Sequence, residues 1–99
     1  MNLETLRKFT PQLNQIAQKH GIQKLYVFGS IARGEATGKS DVDFLVEMLP
    51  KASLFGVAGF SYEAEQLLAT KVDVVPTSLL PKLKDKSFVA SIQRETVAL

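Results

Sequence analysis

The sequence predicts an α/β protein, with a small β-sheet flanked by helices. Three observations predict it. Short apolar runs at residues 24–28, 43–48 and 72–76 read as strands. Between and around them, apolar residues recur at three- and four-residue steps, the helical period. Gly, Pro or polar clusters punctuate most junctions. The resulting order, α-β-α-β-α-β-α, suits one sheet with helical cover and one domain spanning residues 1–99.

Each element has a local reason. Leu3, Leu6, Phe9, Leu13, Ile16, Ala17 and His20 form one amphipathic stripe, interrupted by Pro11. Thr10 is a suitable N-cap with Pro11 at the first helical position, so a short turn and then a helix over 11–20 are expected. Gly21 is suited to end it. Lys24 to Phe28 is the first strand, and its nearly continuous apolar character implies cover on both faces. Gly29-Ser30 turns the chain, residues 31–33 form a short helix, and residues 34–39 form a polar loop. Asp43 to Met48 is the second strand, stopped with the help of Pro50. After a connector at 51–53, Leu54 to Ala69 is helical. Gly56 and Gly59 each cost that helix about 1 kcal/mol relative to Ala, so its first half is expected to be irregular or mobile. Val72 to Pro76 is the third strand. Residues 78–83, with Pro81, form a turn or short helix, Lys86 to Glu95 the last helix, and 96–99 a tail.

Composition narrows the function classes. Apolar residues make up 45% of the chain and charged residues 22%, values ordinary for a soluble globular protein. There is no cysteine, which removes disulfides and thiolate metal sites and fits a reducing cytoplasm. No stretch approaches the roughly 20 apolar residues that span a bilayer. The amphipathic N-terminus, with Glu4, is unlike a secretory signal. A net charge of +2 is too small to argue for nucleic acid as a direct partner.

The chemistry-bearing stretch is Gly29-Ser30, then ten residues, then Asp41-Val42-Asp43. Strand side chains repeat every two residues, so Asp41 and Asp43 point the same way. Two like charges on one face repel, and a divalent cation is the usual remedy. Mg²⁺ in particular is held by one or two carboxylates plus substrate phosphates. A third acid, Asp73, stands among β-branched residues in Lys71-Val72-Asp73-Val74-Val75, a costly place unless it is paired or metal-bound. Together these are the parts of metal-dependent phosphoryl or nucleotidyl transfer, in which two ions about 3.5–4 Å apart clamp the attacking and leaving oxygens. Asp73 is also placed to take the proton of the attacking hydroxyl. Gly29 lets the backbone approach a phosphate, Ser30 offers a hydroxyl, and Arg33 reaches a phosphate oxygen less directly.

Each signal has a plainer reading. Gly-Ser alone is any turn, Asp-x-Asp alone is a solvated edge, and Arg33 alone is a surface charge. Ser40 reads equally as a cap on the turn into Asp41. His20, near a helix C-terminus and without a second His, reads as dipole-stabilising or partly packed. Tyr26 and Phe28 read as core; Tyr62 as surface, core or partner contact; Lys82, Lys84 and Lys86 as a solvated face. The pairing of motifs at this spacing carries the weight.

Gly29-Ser30-Ile31-Ala32-Arg33-Gly34, Ser40-Asp41-Val42-Asp43-Phe44-Leu45-Val46 and Lys71-Val72-Asp73-Val74-Val75 resemble the minimal nucleotidyltransferases of the DNA polymerase beta superfamily. The likeness is greatest to the MNT antitoxin group and covers nearly the whole chain. It implies a polymerase-beta-like fold with a small mixed sheet. It also implies Mg²⁺ ligands at Asp41 and Asp43, a third catalytic carboxylate at Asp73, and triphosphate contacts at Gly29 and Ser30. ATP as substrate and a HEPN-domain toxin as partner follow from the same resemblance, the toxin being silenced by AMP placed on a tyrosine. Two departures stand out: Ala69-Thr70 where relatives carry a glycine-containing turn, and the glycine-rich Gly56-Val57-Ala58-Gly59-Phe60. The competing readings are an antitoxin that neutralises by stoichiometric binding alone, and a transferase for a small hydroxylated compound. The chain's shortness favours a protein acceptor, with a partner subunit completing the cleft.

Overall fold

The structure, a computed structural model, describes residues 1–35 and 41–99. Among the described residues four strands form one sheet in the order β3-β2-β1-β4, where β1 is Ile22–Phe28, β2 Val42–Met48, β3 Val72–Pro76 and β4 Val97–Ala98. β1 pairs antiparallel with β2 and β4, whereas β2 and β3 run parallel. A parallel pair needs a long crossover, and the helix α4 (Phe55–Leu68) supplies it. The mixed sheet and its helical cover agree with the fold expected from the sequence.

The alternation of strand side chains divides the core in two. On one face Leu25 and Val27 of β1, Val42, Phe44 and Val46 of β2, and Val72 of β3 are buried. They pack with Leu6 of α1 (Leu3–Arg7), Leu13 and Ala17 of α2 (Thr10–Lys19), and Phe60, Ala64 and Leu68 of α4. Phe44 and Phe60 meet edge to face, ring centroids 5.5 Å apart. On the other face Phe28 and Leu45 pack with Leu80 of a 3-10 helix (Thr77–Lys82) and Ile92 of the last helix (Lys86–Glu95). The alternate residues of β2 and β3, Asp43 and Asp73, share the parity of Leu45 and Val75, which places them on this second face.

Four details differ from the sequence-based expectation. The first turn is a full five-residue helix, α1, whose start is satisfied by the Asn2 side chain accepting from the Thr5 N–H at 2.8 Å. Phe9, not Thr10, occupies the N-cap of α2, with Pro11 still inside its first turn. The expected tail contains β4, which pairs Val97 with Val27 and Ala98 with Tyr26. Two residues are too few to show a strand period. The fourth difference lies in α4, which is a continuous helix from Phe55 through both glycines. They are there for close approach: a Cβ on Gly59 would lie 2.6 Å from His20 Nδ1, and one on Gly56 would overlap the His20 carbonyl group. That packing offsets the intrinsic cost of glycine.

His20 is thus partly packed, as expected, at the C-cap of α2. Its Nε2 meets a Glu63 carboxylate oxygen, and Lys19 Nζ donates to the other at 3.0 Å. Phe28 is buried and Tyr26 half-buried, whereas Tyr62, Lys82, Lys84 and Lys86 are exposed. Most of the expected 34–39 loop, and Ser40, lie outside the described residues.

Candidate active site

The site grows from the end of β1. Phe28 is extended, and Gly29 then turns with φ of +75°, a conformation that favours glycine. A short helix, α3 (Gly29–Arg33), follows and ends at Gly34. Ile31 is buried and holds α3 to the main core. Phe28 is the register partner of Asp43, so the Gly29 turn lies beside the start of β2. A Cβ on Gly29 would overlap the Asp43 carboxylate, its Cγ only 3.2 Å away. Glycine here therefore does more than free the backbone for a ligand. It leaves the space that the Asp43 side chain fills.

β3 brings in the third acid. Asp43 and Asp73 are direct register partners on the parallel pair, and both line one open cleft of about 600 Å³. Gly29, Ser30 and Arg33 line the same cleft. Asp41 stands one residue before β2, where the Val42 N–H donates to the Lys71 carbonyl at 3.1 Å. The Asp41 carboxylate has Lys71 Nζ at 3.9 Å. Arg33 is engaged twice, donating from Nε to Glu35 at 2.9 Å and from Nη1 to Glu95 at 2.8 Å. These two carboxylates raise its already high pKa.

The electrostatics show strain between the acids. Partial burial pushes the Asp43 carboxyl up from the usual carboxylate range, and the charges of Asp73 and then Asp41 push it the same way. Arg33 opposes them weakly. Among the described residues no three His, Cys, Asp or Glu side chains are drawn tightly enough together to hold a metal ion between them. The donors themselves suit Mg²⁺: they are hard oxygen ligands whose mutual repulsion a divalent cation relieves.

The remaining lining was not singled out from the sequence. Val75, Phe88, Ser91, Ile92 and Glu95 complete the cleft. The last four lie on one face of α5 (Lys86–Glu95), at i, i+3, i+4 and i+7. That stripe is visible in the sequence. Which sheet face it would cover is not, because that is decided by the route of the chain through the 3-10 helix.

A glycine turn, paired strand-end acids and a cleft on a small mixed sheet define a scaffold for moving phosphorus-bearing groups. Residues 5–99 match the model of the nucleotidyltransferase domain family, and the chain belongs to that family. It is a nucleotidyltransferase of the minimal, MNT-like kind. A Methanocaldococcus jannaschii protein assigned as a protein adenylyltransferase is 41% identical over 87% of this chain and 90% of its own length. The protein adenylyltransferase MntA of Thermococcus cleftensis is 36% identical over 89% of this chain and 85% of its own. A solved structure assigned as a minimal nucleotidyltransferase superposes with a TM-score of 0.79, at 34% identity, over 100% of this chain and 97% of that one. A complex of tri-AMPylated HEPN toxin with MNT antitoxin from Shewanella oneidensis shares the fold. Its TM-score is 0.60 at 13% identity, covering 89% of this chain and 66% of that chain.

Proposed function

We propose that this chain is an Mg²⁺-dependent protein adenylyltransferase that moves AMP from ATP onto a tyrosine of a HEPN-domain toxin and so acts as its antitoxin. The observation that carries the reading is the register pairing of Asp43 with Asp73 in the cleft that Gly29 and Ser30 also line. The names of the two relatives support a protein acceptor. The shared fold of the toxin–antitoxin complex is consistent with the partner class.

Asp41, Asp43 and Asp73 are the residues to hold Mg²⁺, which supplies neutralisation of triphosphate charge and polarisation of the reacting phosphorus. Gly29 and Ser30 bind and orient the triphosphate tail by backbone N–H and hydroxyl donation. Arg33 adds a cation at the same end. Asp73 accepts the proton of the acceptor hydroxyl. The hydroxyl oxygen forms a bond to the α-phosphorus, the bond from that phosphorus to the bridging oxygen breaks, and pyrophosphate leaves with the electron pair. The cleft is open, which suits an acceptor as large as a protein loop.

The test is incubation of the purified pair with α-labelled ATP and Mg²⁺. Label on the partner, lost with Asp41→Asn or Asp43→Asn, supports transfer. Neutralisation that persists undiminished in both variants would leave stoichiometric binding as the function, and turnover without any protein acceptor would indicate a small hydroxylated substrate.

A further inference from the structure

We propose that Phe88 is the platform on which the nucleobase of the transferred nucleotide stacks; this rests on the nucleotidyl-transfer reading of the cleft and extends it to the base. Six large apolar side chains are exposed among the described residues: Leu49, Leu54, Phe55, Tyr62, Leu79 and Phe88. Phe88 alone of these lines the cleft that holds Asp43 and Asp73. It is 46% exposed. Its neighbour one turn on, Ile92, is 1% exposed and packs against Phe28 and Leu45. The same helix face therefore buries one apolar side chain completely and holds another half open to the cleft.

The helix that carries the ring is held at both ends. Asp85 caps α5, its carboxylate accepting from the Phe88 N–H at 3.0 Å. At the far end of the face, Glu95 accepts from Arg33 Nη1 and ties α5 to α3. A helix anchored at both ends presents its aromatic side chain from a fixed backbone position, and a phenyl ring has only two torsions to lose on stacking. A nucleotide brings one matching group, a planar base, and a triphosphate at Gly29 and Ser30 brings it into this cleft. Val75 adds apolar wall, and Ser91 sets a hydroxyl on the same helix face. A phenyl ring has no hydrogen-bonding edge, so the platform favours purines over pyrimidines by stacked area and separates adenine from guanine poorly.

The chain has no tryptophan, so Phe88→Trp installs a single reporter at the platform. The variant is titrated with ATP and with inorganic tripolyphosphate, each with Mg²⁺. Saturable quenching of emission by ATP and none by tripolyphosphate is expected. By calorimetry, Phe88→Ala weakens ATP about 5- to 100-fold, leaves tripolyphosphate unchanged, and Phe88→Tyr restores ATP affinity. Equal loss for both ligands, or no loss for either, overturns the platform. So does unchanged ATP affinity with a raised KM for the acceptor protein, which would make Phe88 an acceptor contact. A wild-type chain that binds neither ligand removes the nucleotide reading itself and the platform with it.

Discussion

Asp43 and Asp73 sit directly across from each other on two parallel strands, and the Gly29 turn leaves the room that the Asp43 carboxylate occupies. The pair is unfavourable for folding, and the proposed function assigns it to a ligand. Burial and the neighbouring acids raise the Asp43 carboxyl above its unfolded pKa. The folded state then holds the proton over a range where the unfolded state has lost it, so stability falls as pH rises through the window from 3.8 upward. Asp43→Asn removes that penalty. It is expected to raise Tm by a few degrees at pH 7 while cutting transfer by roughly 10²–10³-fold or more. Thermal melts with and without Mg²⁺ check it: the ion stabilises the wild type and leaves the variant unmoved. A lower Tm for Asp43→Asn at pH 7 contradicts the account.

Arg33 and Glu95 make a second testable pair. Glu95 lines the cleft and holds the guanidinium that the triphosphate is proposed to use. Glu95→Gln takes a negative charge from the cleft and releases one of the two carboxylates on Arg33. Affinity for Mg-ATP is expected to rise about 2- to 5-fold at low ionic strength, with the gain shrinking in 0.5 M salt. Arg33→Ala moves affinity the other way. Titration calorimetry at two salt concentrations reads both.

Replacing a helical glycine by alanine ordinarily stabilises, and in α4 it is expected to do the opposite. Gly59→Ala drives a methyl group into the His20 ring, and Gly56→Ala drives one into the His20 backbone. Each is expected to cost about 1–3 kcal/mol, Gly56→Ala more because backbone yields less than a side chain. Urea melts give the two values directly, and a gain in stability at either position would refute the packing argument.

Ala69 is the converse case. It ends α4 with φ of 54°, in the left-handed region that glycine occupies without penalty. Ala69→Gly is expected to stabilise the chain by about 0.5–1 kcal/mol and to leave nucleotide affinity alone. Urea midpoints compared at constant slope settle the sign.

Glu63 offers a pH test far from the cleft. Hydrogen bonds from His20, and then Lys19, lower its carboxyl below the ordinary 4.5. A depressed carboxylate contributes stability above its unfolded pKa and loses it as pH falls through the folded value. Glu63→Gln is therefore expected to flatten the acid limb of the stability profile below about pH 4.5. Melts between pH 3 and 6 report this, and an unchanged limb speaks against the bond.

Much of this architecture was legible in the residues. β3 and α5 fall where Val72 to Pro76 and Lys86 to Glu95 put them, because β-branched alternation and a continuous amphipathic stripe are strong local signals. The turn at Gly29-Ser30 and the two strand-borne acids were equally visible. What stayed hidden was non-local. β4 exists only because β1 offers it an edge. The helicity of Phe55 to Gly59 depends on His20, some 40 residues earlier, being there to receive it. The α5 wall of the cleft depends on which sheet face the chain reaches after Pro76. α5 supplies one wall of the cleft from within the chain, and the expected partner subunit remains part of the proposed function.

The lining of the cleft is drawn from β1, α3, β2, β3 and α5, so its parts are synthesised in sequence and α5 is the last of them. A chain in which α5 has not docked carries the glycine turn and all three acids but lacks the wall of Phe88, Ser91, Ile92 and Glu95. On the proposed reading, nucleotide capture waits on the docking of α5, which seats Ile92 against Phe28 and Leu45.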